Sequence, residues 1–493
     1  MSQPSAFSSQ LQHPELVREG HFIDGRWSTP GGITFDVLNP ADGSRLASLP
    51  DGDAELSTTA VDAASAAFVA WRETPAQERA LVLRRWHAAI LEHQQDLARL
   101  MTLEQGKPLA ESLGEVLYAA SYVDWFAAQA VRSHGEVLAA PGRHQRMLAV
   151  YEPVGVVAAI TPWNFPAAML ARKVAPALAA GCTVVAKPAE DTPLTAIALV
   201  RLAELAGVPT GVLNLVLSSR AKVSEVVDVW LRDERVRKIS FTGSTAVGRH
   251  LAQASAGTLK RLSLELGGNA PFIVFEDADL DAAADGLMKA KFRNAGQTCV
   301  CPNRILVHRD VYTAFLDRLV QRVKALRVGP GTAAGTEIGP LITAAAVDKV
   351  LRHIEDAQRR GARLVLGGER LPGAGHFVSP AILADVTDAM ECACDETFGP
   401  VLALSLFDDD AEALARANAT PYGLAAYFYT QDAARRHRIA SRLEAGMVGI
   451  NEAAISYAHV PFGGIKASGY GREGSEHGLL DYQQLKYHCE ASL

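Results

Sequence analysis

Short, uninterrupted apolar runs alternate with Ala- and Leu-rich stretches through the middle of the chain. Such runs are typical of strands buried on both faces of a parallel sheet. They lie at residues 154–160, 183–186, 212–217 and 236–241. The stretches between them predict helices over residues 167–180, 194–206 and 221–231. Because strands that alternate with helices pair in parallel through right-handed crossovers, the pattern predicts a doubly wound α/β fold that binds a nucleotide.

A second α/β block follows the first. Strands are predicted at residues 262–265 and 272–275, on either side of a Gly-Gly turn, and a helix over residues 281–294. That helix leads into Cys299, and the alternation of strands and helices continues to about residue 439. The second block therefore predicts a separate α/β domain that carries a cysteine beside its first helix.

Other segments have simpler patterns. Apolar residues at helical spacing predict packing helices over residues 54–70 and 79–105. Residues 131–151 alternate weakly between charged ends, which predicts a protruding hairpin. The Gly-rich residues 460–474 predict an ordered loop.

Composition narrows the class of protein. The chain has 493 residues, enough for two or three domains of about 150 residues each. Its net charge of −7 gives no electrostatic footprint for nucleic acid or an anionic membrane. No apolar run approaches the ~18 residues of a membrane helix, and the first residues do not resemble a secretory leader. Six cysteines are too few for a disulfide scaffold, so a reducing, cytoplasmic location is predicted.

Cys299 is a candidate nucleophile because it follows a turn of small and polar residues that includes Gly296. A cysteine taken alone is more often a buried structural residue. Cys301 could form a regulatory disulfide with Cys299, although a Cys-x-Cys pair has poor disulfide geometry. Cys392 and Cys394 form a second such pair, which would allow zinc by ligand count. The absence of Cys-x-x-Cys spacing argues against zinc, and no metal is expected.

Further polar residues stand at strand ends. Glu265 ends an apolar strand beside two glycines, where a carboxylate is costly unless it is functional or paired with an arginine. Gly243 and Ser244 lie where a strand turns into a helix, and the backbone N–H groups there could face a pyrophosphate. Lys187 and Glu190 follow the second strand, where an acidic residue accepts hydrogen bonds from an adenosine ribose. Both charges could equally be solvated in a loop.

Together, these motifs resemble those of the aldehyde dehydrogenase family, in the same order, from about Phe22 to Tyr487. They are TPWNFP at 161–166, KPAE at 187–190, FTGS at 241–244, LELGGN at 264–269, GQTC at 296–299, ETFGP at 396–400 and PFGG at 461–464. Within the family the chain most resembles the succinate-semialdehyde dehydrogenases, through KFRNAGQTCVC at 291–301 and PFGGIKAS at 461–468.

The resemblance implies a mechanism that begins with attack of the Cys299 thiolate on the aldehyde carbon. The side-chain amide of Asn164 and the backbone N–H of Cys299 would stabilise the resulting oxyanion. Removing one such donor typically lowers the rate by a factor of about 10²–10³. A hydride would then pass to a nicotinamide cofactor, and Glu265 would activate the water that hydrolyses the thioester.

The resemblance also implies which residues bind the cofactor. They are Trp163, Lys187, Glu190, Gly243, Ser244, Glu396 and Phe398. NAD is expected in preference to NADP, because the 2′-phosphate of NADP would place its charge beside the Glu190 carboxylate.

Arg172, Arg293 and Ser456 are implied to clamp a distal carboxylate of the substrate, a geometry that suits the planar fork of arginine. Arg172 could instead be a charge on a helix surface. The sequence departs from the family around Tyr457 and His459, so succinate, glutarate and 2-oxoglutarate semialdehydes all stay open. A neutral aldehyde would also be compatible with the motifs as a substrate. A cysteine hydrolase and a non-enzymatic structural protein on the same fold are the competing classes of protein.

The expected domains follow from the pattern and the resemblance together. A dinucleotide-binding (NAD) domain is expected over residues 1–130 and 151–264, and a catalytic domain over residues 265–442. Residues 131–150 and 478–493 are expected to be oligomerisation segments. Residues 443–477 are expected to form a returning segment that lines the substrate site. A homodimer or homotetramer is implied. The expected partner is a small-molecule aldehyde, with no nucleic acid and no membrane.

Overall fold

The computed structural model describes residues 8–29 and 31–491. Over these residues the α-helices are α1 (Ala54–Trp71), α2 (Ala76–Glu92), α3 (Gln94–Gln105), α4 (Leu109–Ala130), α5 (Pro166–Ala180), α6 (Pro193–Leu205), α7 (Val223–Arg232), α8 (Thr245–Ser255), α9 (Leu280–Phe292), α10 (Tyr312–Lys324), α11 (Ala344–Arg359), α12 (Glu391–Cys394), α13 (Asp410–Asn418), α14 (Ala433–Ala440) and α15 (Ser475–Leu480). The strands are β1 (His21–Ile23), β2 (Arg26–Ser28), β3 (Thr34–Leu38), β4 (Arg45–Pro50), β5 (Glu136–Leu138), β6 (Gln145–Pro153), β7 (Val156–Ile160), β8 (Thr183–Lys187), β9 (Leu213–Leu215), β10 (Val236–Thr242), β11 (Arg261–Glu265), β12 (Ala270–Val274), β13 (Pro302–His308), β14 (Arg363–Leu366), β15 (Ala381–Ala384), β16 (Val401–Phe407), β17 (Ala425–Tyr429), β18 (Met447–Ile450), β19 (Gly469–Tyr470) and β20 (Gln483–Ala491).

The first sheet has the strand order β19-β11-β10-β7-β8-β9-β1-β2. The strands from β11 to β9 in this order run parallel, and the outer strands pair antiparallel. Val157 and Ala159 of β7 face a core shared with α5 and α6, whereas Val156 and Ala158 face a second core shared with α1 and α7. Burial on both faces explains the uninterrupted apolar run. The predicted doubly wound α/β fold is confirmed.

The second sheet has the order β14-β15-β16-β13-β12-β17-β18 and is parallel apart from β14. The predicted second α/β domain is therefore formed. Strand β18 extends this sheet beyond residue 439, so the returning segment 443–477 is more than a loop. Glu265 ends β11 and therefore still belongs to the first sheet, one residue past the expected boundary.

The backbone departs from the predicted elements where residues adopt left-handed conformations. Gly155 has a φ of 128°, which delays the start of β7 to Val156. Helix α9 ends at Phe292, two residues before the predicted end at residue 294, and a short 3₁₀ turn follows. Asn294 and Ala295 in that turn have φ values of 52° and 53°. Two consecutive left-handed residues cannot continue an α-helix, so the chain turns sharply towards Cys299.

A third sheet has the order β20-β6-β5. The predicted hairpin is β5–β6, and the C-terminal strand β20 pairs with β6 from Gln483↔Pro153 to Ala491↔Gln145. Large apolar side chains stay exposed on this sheet, among them Val137, Leu485 and Tyr487.

Helix α4 spans 22 residues and carries Glu111, Glu115 and Asp124. Across the described ranges, no helix combines the length and the apolar content that crossing a bilayer requires.

Candidate active site

Side chains from three neighbouring strands of the first sheet meet where those strands end. Residues 162–165 come shortly after β7. Thr242 is the last residue of β10, with Gly243 and Ser244 directly after it, and Glu265 is the last residue of β11. With residues 396–398 they line a cavity of about 300 Å³ that also touches Cys299. We call it the strand-end cavity. Open α/β sheets bind their ligands at the carboxyl ends of their strands, so this position suits a ligand.

A second cavity, of about 220 Å³, lies on the other side of Cys299 and is called here the arginine cavity. Arg172, Arg293 and Ser456 all line it, so the structure brings the three predicted clamp residues together. Apolar side chains make up much of the remaining wall: Phe165, Met169, Val300, Tyr427, Ala453, Ile455 and Phe462. Cys299, Phe165 and Met169 line both cavities.

Arg172 is buried, with 1% of its side chain exposed, and forms an ion pair with Glu473. The hypothesis of a helix-surface charge is therefore wrong. Lys173 binds the other oxygen of the same carboxylate, so Glu473 forms ion pairs with two cations. The Arg172 guanidinium also lies 4.2 Å from the centre of the Phe462 ring. Part of its charge is consequently compensated within the protein before any ligand binds.

Arg293 differs from Arg172 in its surroundings. Its side chain is exposed, and its guanidinium carbon lies 4.7 Å from the centre of the Phe165 ring. Stacking on an aromatic face orients the planar fork while leaving its N–H donors available. Arg293 is therefore the better placed of the two arginines to bind an anion.

The predicted catalytic residues Cys299, Glu265 and Asn164 all border the strand-end cavity. Asn164 is buried, and its side-chain Nδ2 donates to the backbone oxygen of Gln297 at 3.0 Å. This bond holds the amide beside the loop that carries Cys299. Because an amide nitrogen carries two protons, one N–H stays available for another acceptor.

Desolvation raises the pKa of both acidic groups of this trio, the half-buried Cys299 and the buried Glu265. Desolvation raises the pKa of the Cys299 thiol to about 12, only partly offset by the positive charge of Arg172. Glu265 is 2% exposed, and neither of its carboxylate oxygens has a hydrogen-bond partner among the described residues. Burial, with the Glu473 carboxylate nearby, raises its pKa well above the ordinary value. Each group therefore loses its proton less readily in this site than in water.

The strand-end cavity has polar groups that suit the nicotinamide end of a dinucleotide. The hydroxyl oxygen of Thr242 is buried there without a hydrogen-bond partner in the described chain. Glu396 accepts from the backbone N–H of Gly268 at 3.2 Å, and burial raises the pKa of Glu396 to about 7. Trp163 and Phe398 meet edge to face, with ring centres 5.6 Å apart. A flat aromatic ring and a ribose would find apolar walls and hydrogen-bond partners here.

Gly243 and Ser244 lead into α8, and the Ser244 hydroxyl caps that helix by accepting from Val247 N at 3.3 Å. Next along the sheet edge, Lys187 ends β8 and its Nζ lies 3.2 Å from Glu190. Five of the predicted cofactor residues thus follow one edge of the first sheet, whereas Glu396 and Phe398 come from the segment before β16 of the second sheet. A dinucleotide fits along that edge, with the helix N-terminus available for its phosphates.

Sequence reasoning missed several residues of this region. Arg220 binds the second oxygen of Glu190 at 3.1 Å, and Lys349 lines the strand-end cavity. Glu473 lies in the Gly-rich tail, where a carboxylate looks like a solvated loop charge. Only its position after folding, between Arg172 and Lys173, shows its role.

Comparison with known proteins agrees with this geometry. The model of the aldehyde dehydrogenase family matches residues 27–488. The chain is 51% identical over 481 residues to an Escherichia coli succinate-semialdehyde dehydrogenase [NADP(+)], covering 97% of this chain and 99% of that one. It is 50% identical over 481 residues to a Pseudomonas putida glutarate-semialdehyde dehydrogenase, again covering 97% and 99%.

A solved structure of similar sequence shows the same fold. The succinate-semialdehyde dehydrogenase of Burkholderia pseudomallei superimposes with a TM-score of 0.96 at 51% identity, covering 98% of this chain and 100% of that one. The chain belongs to the aldehyde dehydrogenase family, and the resemblance inferred from its motifs is confirmed.

The high pKa of Cys299 predicts how this thiol reacts with an alkylating agent. Its modification by iodoacetamide should accelerate about tenfold per pH unit between about pH 6 and pH 9, because the thiolate fraction grows in that proportion below the pKa. The rate is measured by peptide mass spectrometry after quenching. Exposed Cys394, quantified in the same digest, should react faster throughout. A Cys299 rate that levels off near neutral pH would contradict the prediction.

Proposed function

We propose that the protein oxidises an aldehyde that carries a distal carboxylate, with succinate semialdehyde as the first candidate. The observation that carries the proposal is the shared cavity of Cys299 with Arg172, Arg293 and Ser456. A four-carbon semialdehyde has its aldehyde and carboxylate at opposite ends. It can therefore reach the sulfur and the arginines at once. The names of the similar E. coli and B. pseudomallei enzymes support this substrate class.

In the proposed mechanism the Cys299 thiol gives its proton to solvent water, and the resulting thiolate sulfur bonds to the carbonyl carbon. The Asn164 amide and the Cys299 backbone N–H donate to the oxygen as it becomes negative. Bound nicotinamide supplies the hydride acceptor that makes this an oxidation. Glu265 then takes a proton from the water that cleaves the thioester and releases the carboxylate. Its raised pKa makes the base form scarcer at low pH, so hydrolysis should slow as the pH falls.

Glutarate semialdehyde is the second candidate, supported by the P. putida relative of that name. Glutarate semialdehyde is one methylene longer than succinate semialdehyde, and an apolar pocket discriminates one methylene by only about 1–3 kcal/mol. Tyr457 and His459 line a neighbouring pocket that shares Tyr118 with the arginine cavity, and their rings stack with centres 5.7 Å apart. They are the side chains we expect to separate the shorter from the longer semialdehyde.

We further propose NAD as the preferred cofactor, although the E. coli relative is named for NADP(+). Glu190 is the reason, because a 2′-phosphate at its position would meet a carboxylate. Arg220 partly compensates that charge, and its side chain is 80% exposed. The preference should therefore depend on Glu190 more than on the overall charge of the loop.

The domain division and assembly are likewise proposals. The first and second sheets support a dinucleotide-binding domain and a catalytic domain. Exposed apolar side chains on β5 and β20 support subunit contacts through residues 131–150 and 478–493. A covered sheet of this kind would suit a homodimer or a homotetramer.

The substrate proposal predicts the effect of Arg293→Gln. Loss of a charge-assisted hydrogen bond should raise KM for succinate semialdehyde by about 10- to 100-fold, while KM for butanal, which has no carboxylate, changes little. Steady-state formation of the reduced cofactor measures both. Lys289→Gln removes a second, exposed cation from the same cavity and should change KM less than about threefold. Equal losses for both aldehydes would exclude Arg293 as a carboxylate ligand.

The cofactor proposal predicts the effect of Glu190→Ser. The ratio of kcat/KM for NAD over that for NADP should fall by at least about tenfold, because the repulsion of the 2′-phosphate disappears and Arg220 becomes free to bind it. Asp191→Asn, which removes the neighbouring carboxylate, should leave that ratio nearly unchanged. A wild-type protein that already prefers NADP would refute the proposal.

The mechanism predicts a contrast between Cys299→Ala and Glu265→Gln. Cys299→Ala should abolish aldehyde oxidation. Glu265→Gln should keep the first burst of reduced cofactor and its binding affinity but lower steady-state turnover by about 10²-fold or more, because only thioester hydrolysis needs the base. Rapid-mixing absorbance separates the burst from the steady state. Full turnover by Cys299→Ala would overturn the assignment.

A further inference from the structure

A buried cluster of charges lies beneath both loops that provide the proposed oxyanion donors. It consists of Lys107, in the turn before α4, and of Glu111 and Glu115 in the first turns of α4; we call it the α4 cluster. Lys107 and Glu115 are 2% and 1% exposed. A buried ion pair contributes little net stability, because desolvation offsets the attraction. The groups that the α4 cluster binds therefore indicate its role better than its contribution to stability does.

Lys107 contacts the loop of Asn164 directly. Its Nζ donates to the backbone oxygen of Asn164 at 2.6 Å and also binds Glu115. The same ammonium lies 4.1 Å from the centre of the Phe165 ring. Two adjacent residues of the loop are thus fixed by one cation.

Glu115 fixes the start of the helix that follows this loop. Its Oε1 accepts from the backbone N–H groups of Ala167 at 2.9 Å and Ala168 at 3.2 Å, in the first turn of α5. Helix α5 has no side-chain cap of its own at Phe165. Glu115 therefore supplies the carboxylate that the free N–H groups of a helix start require.

Glu111 acts on the loop of the nucleophile. Its Oε2 accepts from the backbone N–H of Asn294 at 2.7 Å, at the first of the two left-handed residues that precede Cys299. A left-handed backbone costs about 1 kcal/mol or more for a residue other than glycine. The hydrogen bond from Asn294 to Glu111 offsets part of this cost and so stabilises the turn.

Asn294 and Gln297 join the two loops. The Asn294 side chain donates to the backbone oxygen of Asn164 at 3.0 Å, the acceptor that Lys107 also uses. The Asn164 side chain donates in turn to the backbone oxygen of Gln297, two residues before Cys299. The Asn164 amide and the Cys299 N–H are thus held by a closed set of bonds that rests on the α4 cluster.

We propose that Lys107 and Glu111 are positioning residues for the oxyanion hole. Lys107 sets the Asn164 amide through the Asn164 carbonyl, and Glu111 sets the turn before the Cys299 N–H through Asn294. The proposal rests on the proposed function, in which both groups stabilise the oxyanion. Neither residue lines the strand-end or the arginine cavity, so each acts on the reaction through its neighbours: both through the donors they hold, and Lys107 also through Phe165, which lines both cavities.

A double-mutant cycle between Lys107→Met and Asn164→Ala tests the proposal. Lys107→Met alone should lower the rate constant of the first burst of reduced cofactor by about 10- to 100-fold, because a misplaced catalytic group costs up to about 10²-fold. In the Asn164→Ala background the same change should cost less than about twofold, since the donor that Lys107 positions is gone. Equal losses in both backgrounds would overturn the proposal.

Two readouts separate positioning from damage to the fold. Lys107→Met should leave the affinity for NAD and the rate of Cys299 alkylation unchanged, because neither needs the oxyanion hole. The double change Lys107→Met, Glu115→Gln removes the uncompensated buried carboxylate and should recover thermal stability, but not the burst rate. Recovery of both would show that Lys107 serves folding alone and would refute the proposal.

Glu111 provides a second test that does not alter Lys107. Glu111→Gln keeps a carbonyl acceptor for Asn294 N and should retain the burst rate, whereas Glu111→Met should lower it about tenfold or more. Equal activity of the two variants would contradict the role of Glu111. If Asn164→Ala itself leaves the burst unchanged while oxidation persists, the oxyanion assignment within the proposed function fails, and the role of Lys107 fails with it.

Discussion

The hydrogen bond from the Asn164 amide to the Gln297 carbonyl is the constraint on which the rest of the site depends. Asn164 follows a strand of the first sheet, and Gln297 precedes the cysteine of the second domain. The two domains have separate cores, so no continuous hydrophobic packing sets the distance between these loops. Directional bonds to backbone groups set it instead. A shift between the domains would separate the sulfur from its neighbouring amide.

Burial sets the chemistry that these loops can perform. The same low-dielectric surroundings that strengthen a hydrogen bond to an oxyanion also raise the pKa values of Cys299 and Glu265. Cys299 must therefore lose a proton before it can act as a nucleophile, and Glu265 before it can act as a base. Arg172 is the cation that lowers the pKa of Cys299 most, but the Glu473 carboxylate compensates part of the Arg172 charge. This arrangement avoids a permanently reactive thiolate in a protein whose arginines attract anions.

The sequence predicted the fold well because its signals are local. Strands buried on both faces must be apolar throughout, and the glycines after helices α5 and α6 mark their ends. Cys299 and Glu265 were found because each is a reactive group within an apolar or small-residue stretch, and the motif order then identified the family. Their roles, and those of the cofactor and substrate residues, stay proposals.

Other features could not be predicted because they depend on contacts between distant segments. Lys107 and Glu473 look like solvated charges in the sequence, and only folding buries them against Asn164 and Arg172. Helix α9 was expected to reach residue 294, since nothing in the residues Arg293 to Ala295 forbids a helix. The backbone bonds of Asn294 to other parts of the chain favour the left-handed turn over one more helical turn.

The distance along the chain between Glu473 and its two cationic partners has a consequence for the order of folding. Arg172 and Lys173 are made some 300 residues before the carboxylate that balances them. Without that carboxylate both cations would lack their buried partner, and the cost of desolvating them opposes closure of the surrounding core. Closure of the core around α5 should therefore follow docking of the segment that carries Glu473, which lies 300 residues beyond Lys173 along the chain.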